Sequence, residues 1–190
     1  MPHFHIPLQS GSDVLLKRMK RKYDSALYKE RVEWIKYLMP SACIGVDVIT
    51  GFPGESDIEF MKTYHLLEEL NVSYLHVFTY SERLNTIAAE LEGKVPIHIR
   101  RERNEKLRQL SESKKRSFYE ANSGAVKKVL WEAETTDDFI FGYTDNYIKV
   151  SAPFSEDLVN QITESTLFYE WGKDCCQIIS TETINNRKTA

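Results

Sequence analysis

The chain has 190 residues, 42% hydrophobic and 28% charged, with a net charge of −3. That balance describes a folded globular protein and excludes disordered and fibrous classes. No apolar run approaches the roughly 20 residues of a membrane helix, and Met1-Pro2-His3 does not open a signal peptide, so a cytoplasmic protein with no membrane partner is expected.

The three cysteines, Cys43, Cys175 and Cys176, are an odd, scattered set that suits a reducing compartment better than a disulfide framework. No CxxC or CxxxCxxC spacing is present to cradle zinc or an iron–sulfur cluster, and no metal site is expected. Charge divides the chain near residue 120. Residues 1–120 carry 19 Lys/Arg against 17 Asp/Glu, whereas residues 121–190 carry six against 11.

In chain order, residues 3–8 read as a short strand closed by Gln9-Ser10-Gly11-Ser12. Ser12 and Asp13 suit a helix N-terminus with Leu15, Leu16 and Met19 on the buried side. A second helix from Ser25 buries Tyr28, Val32, Ile35 and Met39, and Pro40 ends it. Residues 43–50 are a strongly β-forming run broken by Gly51-Phe52-Pro53-Gly54. Ser56 with Glu59 predicts a capping box, and Phe60, Tyr64, Leu67 and Leu70 give the next helix its face. Residues 73–79 are a third strand, followed by a polar loop over 80–85. A long charged helix over 97–121 carries only the narrow stripe Ile99, Leu107, Leu110 and Phe118, so most of it should be solvated.

Strands alternating with helices predict a parallel sheet. Three such strands close no barrel, and the first begins at residue 3, so the chain is expected to be the C-terminal portion of a larger protein with an open edge beside residues 3–8. After residue 121 the pattern changes to strands at 126–133, 139–143, 147–150, 158–163, 166–171 and 176–180, with turns at 135–138, 144–146, 152–157 and 172–174. Many short strands predict a small antiparallel barrel, followed by a frayed tail at 185–190. The expected domains are therefore 1–120, α/β, and 121–190, all-β.

Ligands of parallel α/β sheets bind at the carboxyl ends of the strands. That rule selects Gln9 to Ser12, Gly51 to Glu55, and Tyr80 to Arg83. A glycine-proline turn after a strand is by itself an ordinary turn, and Glu82 with Arg83 could be a surface ion pair of little worth. Asp47 points the same way as Gly45 and Ile49, into the expected barrel interior, where a lone carboxylate needs a partner. His3 and His5 share a strand face, but no third ligand joins them at metal-binding spacing, so packing or hydrogen bonding is the expected role.

The stretches PHFHIPLQSGSD at 2–13, IGVDVITGFPGES at 44–56 and LHVFTYSERLNTIAAE at 75–90 resemble the radical-SAM methylthiotransferases. The sub-type is similar to the enzymes that methylthiolate threonylcarbamoyladenosine beside the tRNA anticodon. GAVKKVLWE at 124–132, GYTDNYIKV at 142–150 and LVNQITEST at 158–166 resemble the TRAM domain, a small OB-like β-barrel. The resemblance implies that the first region is the C-terminal part of a partial radical-SAM (β/α) barrel. Gln9, Ser10 and Asp47 would face S-adenosylmethionine, Gly51, Phe52, Pro53 and Glu55 would pack near its adenosine, and Phe78, Tyr80 and Arg83 would close the adenine side. It also implies S-adenosylmethionine and two 4Fe-4S clusters in the full-length enzyme. Without the cluster cysteines, this chain alone is expected to carry no catalytic residue, bind no cofactor and be inactive.

Two basic stretches suit phosphate contacts. Lys17, Arg18, Lys20 and Arg21, with Tyr23 beside them to stack, follow the first strand's loop. Arg100 to Arg116 carries eight Lys/Arg against three Asp/Glu. A charge run is also commonly just a solvated helix face. On the expected barrel, Lys127, Lys128 and Lys149 with Tyr143 and Tyr147 form a local candidate face, although that region's net charge of −5 opposes broad electrostatic RNA binding. The expected partners are a tRNA anticodon arm and the absent N-terminal part of the enzyme. Two alternatives stay open: a fragment of an enzyme methylthiolating an aspartate of a ribosomal protein, and a non-catalytic RNA-binding module.

Overall fold

The computed structural model describes residues 1–83, 86–136 and 138–183. The tail expected at 185–190, residues 84 and 85 of the expected 80–85 loop, and residue 137 of the expected 135–138 turn lie outside them. The chain forms two compact units, Phe4–Lys115, and Arg116–Ala190 together with Met1–His3. The division falls inside a helix, a few residues before the boundary that charge suggests.

The first unit is built on a three-stranded sheet of order β1-β2-β3, with β1 His3–His5, β2 Cys43–Thr50 and β3 Tyr74–Thr79. β2 and β3 run parallel, placing Val46 opposite Leu75, Asp47 opposite His76, and Ile49 opposite Phe78. The strand expected over 3–8 is shorter, but the N–H groups of Ile6 and Leu8 still donate to the carbonyls of Gly45 and Asp47. Gln9 then bridges to Val48.

Alternation along β2 decides which face is covered. Ile44, Val46 and Val48 are fully buried, against helices α2 Ser25–Leu38, α3 Asp57–Glu69 and α5 Ile97–Asn122, which supply Val32, Phe60, Leu67 and Leu107 to the same core. Asp47 and Ile49 stand on the other face with His76 and Phe78. The helix starts are capped as their sequences require: Ser12 for α1 Asp13–Arg18, Asp24 for α2, and Ser56 for α3, each accepting a backbone N–H. The expected capping box at Ser56 is only half formed. The Glu59 carboxylate turns instead to the Ser12 hydroxyl and the Lys62 ammonium, the latter a bond between two charged groups.

The one-turn helix α4, Ile87–Glu90, has no counterpart in the sequence reading. α5 also departs from it. Beside Leu107, the helix buries Arg100, Arg103 and Ser111, so its inner stripe is wider than its apolar residues alone.

The second unit is a closed barrel of order β4-β5-β6-β8-β7, made of Val126–Thr136, Phe139–Thr144, Lys149–Pro153, Ile162–Phe168 and Cys176–Thr183 for β4 to β8. The barrel is mixed rather than antiparallel, because β6 and β8 pair in parallel. The strands expected at 158–163 and 166–171 are one strand, β7, with Leu158 in a 3-10 turn before it. Tyr147 is in a turn rather than a strand, since its φ of 64° is left-handed. Trp131 is fully buried in this core, where its indole N–H donates to the Thr163 hydroxyl at 2.9 Å.

Candidate functional site

The carboxyl ends of β2 and β3 open onto a cavity of about 420 Å³, lined by Ile49, Phe78, Thr79, Tyr80, Ser81, Arg83, Thr86 and Ala88. The parallel register brings Ile49 and Phe78 side by side on the face that the helices leave uncovered. Phe78 is 54% exposed, so a flat apolar ring is presented to open space. The volume lies in the range of small-molecule sites, roughly 300–1,000 Å³. Three of the expected cofactor residues, Phe78, Tyr80 and Arg83, belong to this wall.

Gly51, Phe52, Pro53 and Glu55 stand behind the wall rather than in it. Phe52 is buried and meets the Tyr80 ring edge-on at 5.3 Å. The Gly51 N–H donates to Glu55 Oε1 at 2.8 Å. Arg103 Nη1 donates to the same oxygen at 2.8 Å and Nη2 to Asp57 Oδ1 at 2.7 Å. Burial pushes the Glu55 carboxyl above its ordinary value, against the opposite pull of the Gly51 N–H and Arg103. Gly51 has φ of +78°, and the aliphatic stem of Arg100 occupies the place a Cβ would take.

Arg100 itself is buried. Its Nε donates to the Val95 carbonyl at 2.6 Å, and Nη1 to the Tyr80 carbonyl at 2.9 Å. Nη2 reaches Glu82 Oε1 at 2.6 Å. Glu82 thus pairs with Arg100, not with the neighbouring Arg83 that sequence adjacency offered it. The Arg100 hydrogen bond holds the Glu82 carboxyl at about 2, well below the usual carboxylate range. The Tyr80 hydroxyl is buried without a hydrogen-bond partner among the described residues.

Arg100 and Arg103 read in sequence as part of a basic run, so their role at this site was missed there. The usable signal was spacing: Arg100, Arg103 and Leu107 stand at i, i+3 and i+7, on a single helix face.

Deeper along the strands, Gln9 is 8% exposed and holds a left-handed φ of 68°. Ser10 is fully buried and shares a hydrogen bond with the Thr63 hydroxyl at 3.2 Å. Asp47 finds its partner in His5, with Nε2 2.8 Å from Oδ1, and the His76 ring lies 5.3 Å from that of His5. None of these three expected cofactor residues lines the cavity.

Among the described residues, no three or more His, Cys, Asp or Glu side chains are grouped to hold a metal. Cys43 and Cys176 are buried, which pushes their thiols up to about 11 and about 12. A cluster needs several thiolates converging on one point, so these cysteines do not fit one.

The expected basic residues are partly assembled. Lys17, Arg18, Lys20 and Arg21 are all exposed at the end of α1, with the Arg18 guanidinium donating to the Glu92 carbonyl at 2.5 Å. Lys127 and Lys128 are adjacent on β4 and therefore point to opposite faces; Lys127 shares the side of Val129 and Trp131. Lys149 lies 4.8 Å from the Phe141 ring centre, and Tyr143 stacks on Tyr147 at 4.8 Å. In the other basic run, Arg100 and Arg103 are buried ion-pair partners, and Lys114 donates to the carbonyls of Glu68 and Leu70. Fewer cations are therefore available there than a count suggests.

Residues 1–67 match the family model described as Radical SAM superfamily. Over most of its length the chain is similar to tRNA methylthiotransferases. It is 40% identical over 166 residues to threonylcarbamoyladenosine tRNA methylthiotransferase MtaB of Bacillus subtilis, an alignment covering 85% of the chain and 37% of that relative. It is also 40% identical over 161 residues to tRNA-2-methylthio-N(6)-dimethylallyladenosine synthase of Symbiobacterium thermophilum, covering 84% of the chain and 34% of the relative. MtaB of Aquifex aeolicus is 41% identical over 149 residues, covering 78% and 35%. The chain thus spans about a third of the length of the curated relatives it matches.

Proposed function

We propose that the chain supplies the nucleoside-facing and RNA-facing share of a radical-SAM tRNA methylthiotransferase. The observation that carries this reading is the cavity at the carboxyl ends of β2 and β3, within a chain similar to such enzymes over 85% of its length. The wall suits the adenosine of S-adenosylmethionine. Ile49 and Phe78 offer apolar surface for a flat base, Thr79 and Ser81 in the same wall carry hydroxyls for its edge, and Arg83 stands at the rim for a carboxylate. When bound, that cofactor supplies the radical source and the methyl group. The role of this chain's residues is to bind and orient it.

The three cysteines do not fit a cluster, so in this reading electron delivery belongs to a cluster-bearing segment with which the chain works. The barrel, here read as TRAM-like, and the basic end of α1 would hold the tRNA anticodon arm. The names of the relatives favour tRNA over a ribosomal protein as substrate. They divide between threonylcarbamoyladenosine and dimethylallyladenosine at the same 40% identity, so the assay must resolve both.

The test is a fusion. The cluster-bearing part of the Bacillus subtilis relative is joined ahead of residue 1 and expressed in a strain lacking its own tRNA methylthiotransferases, and tRNA nucleosides are analysed by mass spectrometry. A 2-methylthio derivative of one of the two adenosines is expected with the fusion and not with this chain alone. Unmodified tRNA from a soluble fusion with assembled clusters would sink the reading.

A further inference from the structure

The cavity wall is made by the ends of β2 and β3 and the loop after β3; the loop after β2 backs that wall, and one helix holds both loops. Arg100 and Arg103 lie one turn apart on α5 and reach in different directions. Arg103 goes to the loop after β2: its guanidinium donates to both the carbonyl and the carboxylate of Glu55, at 2.9 and 2.8 Å, and to Asp57 at 2.7 Å. Arg100 goes to the loop after β3, through the Tyr80 carbonyl at 2.9 Å and the Glu82 carboxylate at 2.6 Å. It also ties in the segment before α5 through the Val95 carbonyl at 2.6 Å.

The two attachments meet at Gly51. Its N–H donates to the Glu55 oxygen that Arg103 holds, and the Arg100 stem fills the space beside its Cα. Thr50 completes the link, its hydroxyl lying within 3.4 Å of the Phe78 carbonyl and 3.3 Å of the Arg100 carbonyl. A planar guanidinium carries five donors in a fixed fork and so holds two carbonyls and a carboxylate in one set geometry, which the compact, freely rotating ammonium of a lysine does not reproduce.

We propose that Arg100 and Arg103 are positioning residues that lock the β2 and β3 loops to each other and so set the shape of the nucleoside cavity. The ligand class, an adenosine bearing a sulfur-linked side chain, rests on the proposed function above. The locking itself does not.

The experiment measures amide hydrogen exchange across residues 49–55 and 79–83, and S-adenosylhomocysteine affinity by calorimetry. The proteins are the wild-type chain, Arg100→Met, Arg100→Lys and Glu82→Gln. Circular dichroism checks that each is folded. Glu82 is 40% exposed, so Glu82→Gln keeps the fold while weakening only the outer attachment. Arg100→Met is expected to speed exchange at least tenfold in both loops, with Arg100→Lys giving no recovery. Glu82→Gln should loosen residues 79–83 alone. S-adenosylhomocysteine affinity should fall at least tenfold in Arg100→Met. Unchanged exchange in a folded Arg100→Met, or loosening confined to one loop, overturns the proposal. Coupled loosening in a chain whose wild type does not bind S-adenosylhomocysteine upholds the locking and counts against the cofactor reading instead.

Discussion

Arg103 and Glu55 meet at 2.8 Å in a place where their side chains are only 7% and 1% exposed. An ion pair this deep is costly to form and costlier to break, because a lone survivor is left charged without solvent. Here each survivor would keep some hydrogen bonding, Asp57 and the Glu55 backbone carbonyl for Arg103 and the Gly51 N–H for Glu55. The pair therefore serves geometry more than net stability.

Arg103→Met is expected to destabilise the first unit by about 3–5 kcal/mol, the usual cost of removing one partner of a buried pair. Glu55→Leu together with Arg103→Met should cost less than the sum of the two single changes, since no charge is stranded. Urea denaturation of the four proteins of the cycle measures both. Strict additivity would show that the pair does not interact.

The Glu82 carboxyl titrates near 2 in the folded chain against an ordinary value of 4.5. The unfolded chain therefore binds more protons between those values, and stability rises with pH there. The contribution is complete above about pH 4.5 and disappears as the pH falls through about 2. Carboxyl carbon shifts followed by NMR should give a Glu82 midpoint near 2 in the wild type. In Arg100→Met that midpoint should return toward 4.5.

The three thiols should react in a fixed order. Burial holds Cys43 and Cys176 at about 11 and about 12, so almost no thiolate exists at pH 8. Cys175 is more accessible, its thiol donating to the Ser151 hydroxyl at 3.3 Å. Iodoacetamide at pH 8, followed by peptide mass spectrometry, should label Cys175 well before the other two. Equal labelling in the folded protein would contradict the burial of Cys43 and Cys176.

If the end of α1 contacts RNA, its cations should appear in the salt dependence. Lys17→Ala, Lys20→Ala and Arg21→Ala in one protein should flatten the slope of log affinity against log salt for an anticodon stem-loop by about 2–3, at roughly 0.7–0.9 per phosphate contact. Arg18 is left in place because it donates to the Glu92 carbonyl. An unchanged slope would remove α1 from the RNA surface.

The periodic elements were legible in the sequence for local reasons. β2 begins and ends where its β-forming run does, between Cys43 and Thr50. α2 stops at Leu38 because Pro40 forbids its continuation. The loops at the strand ends were legible too, since glycine and proline punctuate them. The barrel strands were less so. Residues 158–171 hold too many β-forming residues for local pattern to say where β7 starts, and pairing with β4 and β8 fixed it at Ile162.

The amino-acid order thus determined the alternation of strand and helix, the position of the loops that could carry chemistry, and the want of a cluster motif among three cysteines. The tertiary structure decided which of those loop residues face open space. Phe78, Tyr80 and Arg83 do, whereas Gly51 to Glu55 stand behind them. It also turned two cations of an apparently solvated helix inward, to hold those loops. The reason is physical: a charge is exposed or buried according to what lies within a few ångströms, and Glu55 and Glu82 come within reach of Arg103 and Arg100 only across 48 and 18 residues of chain.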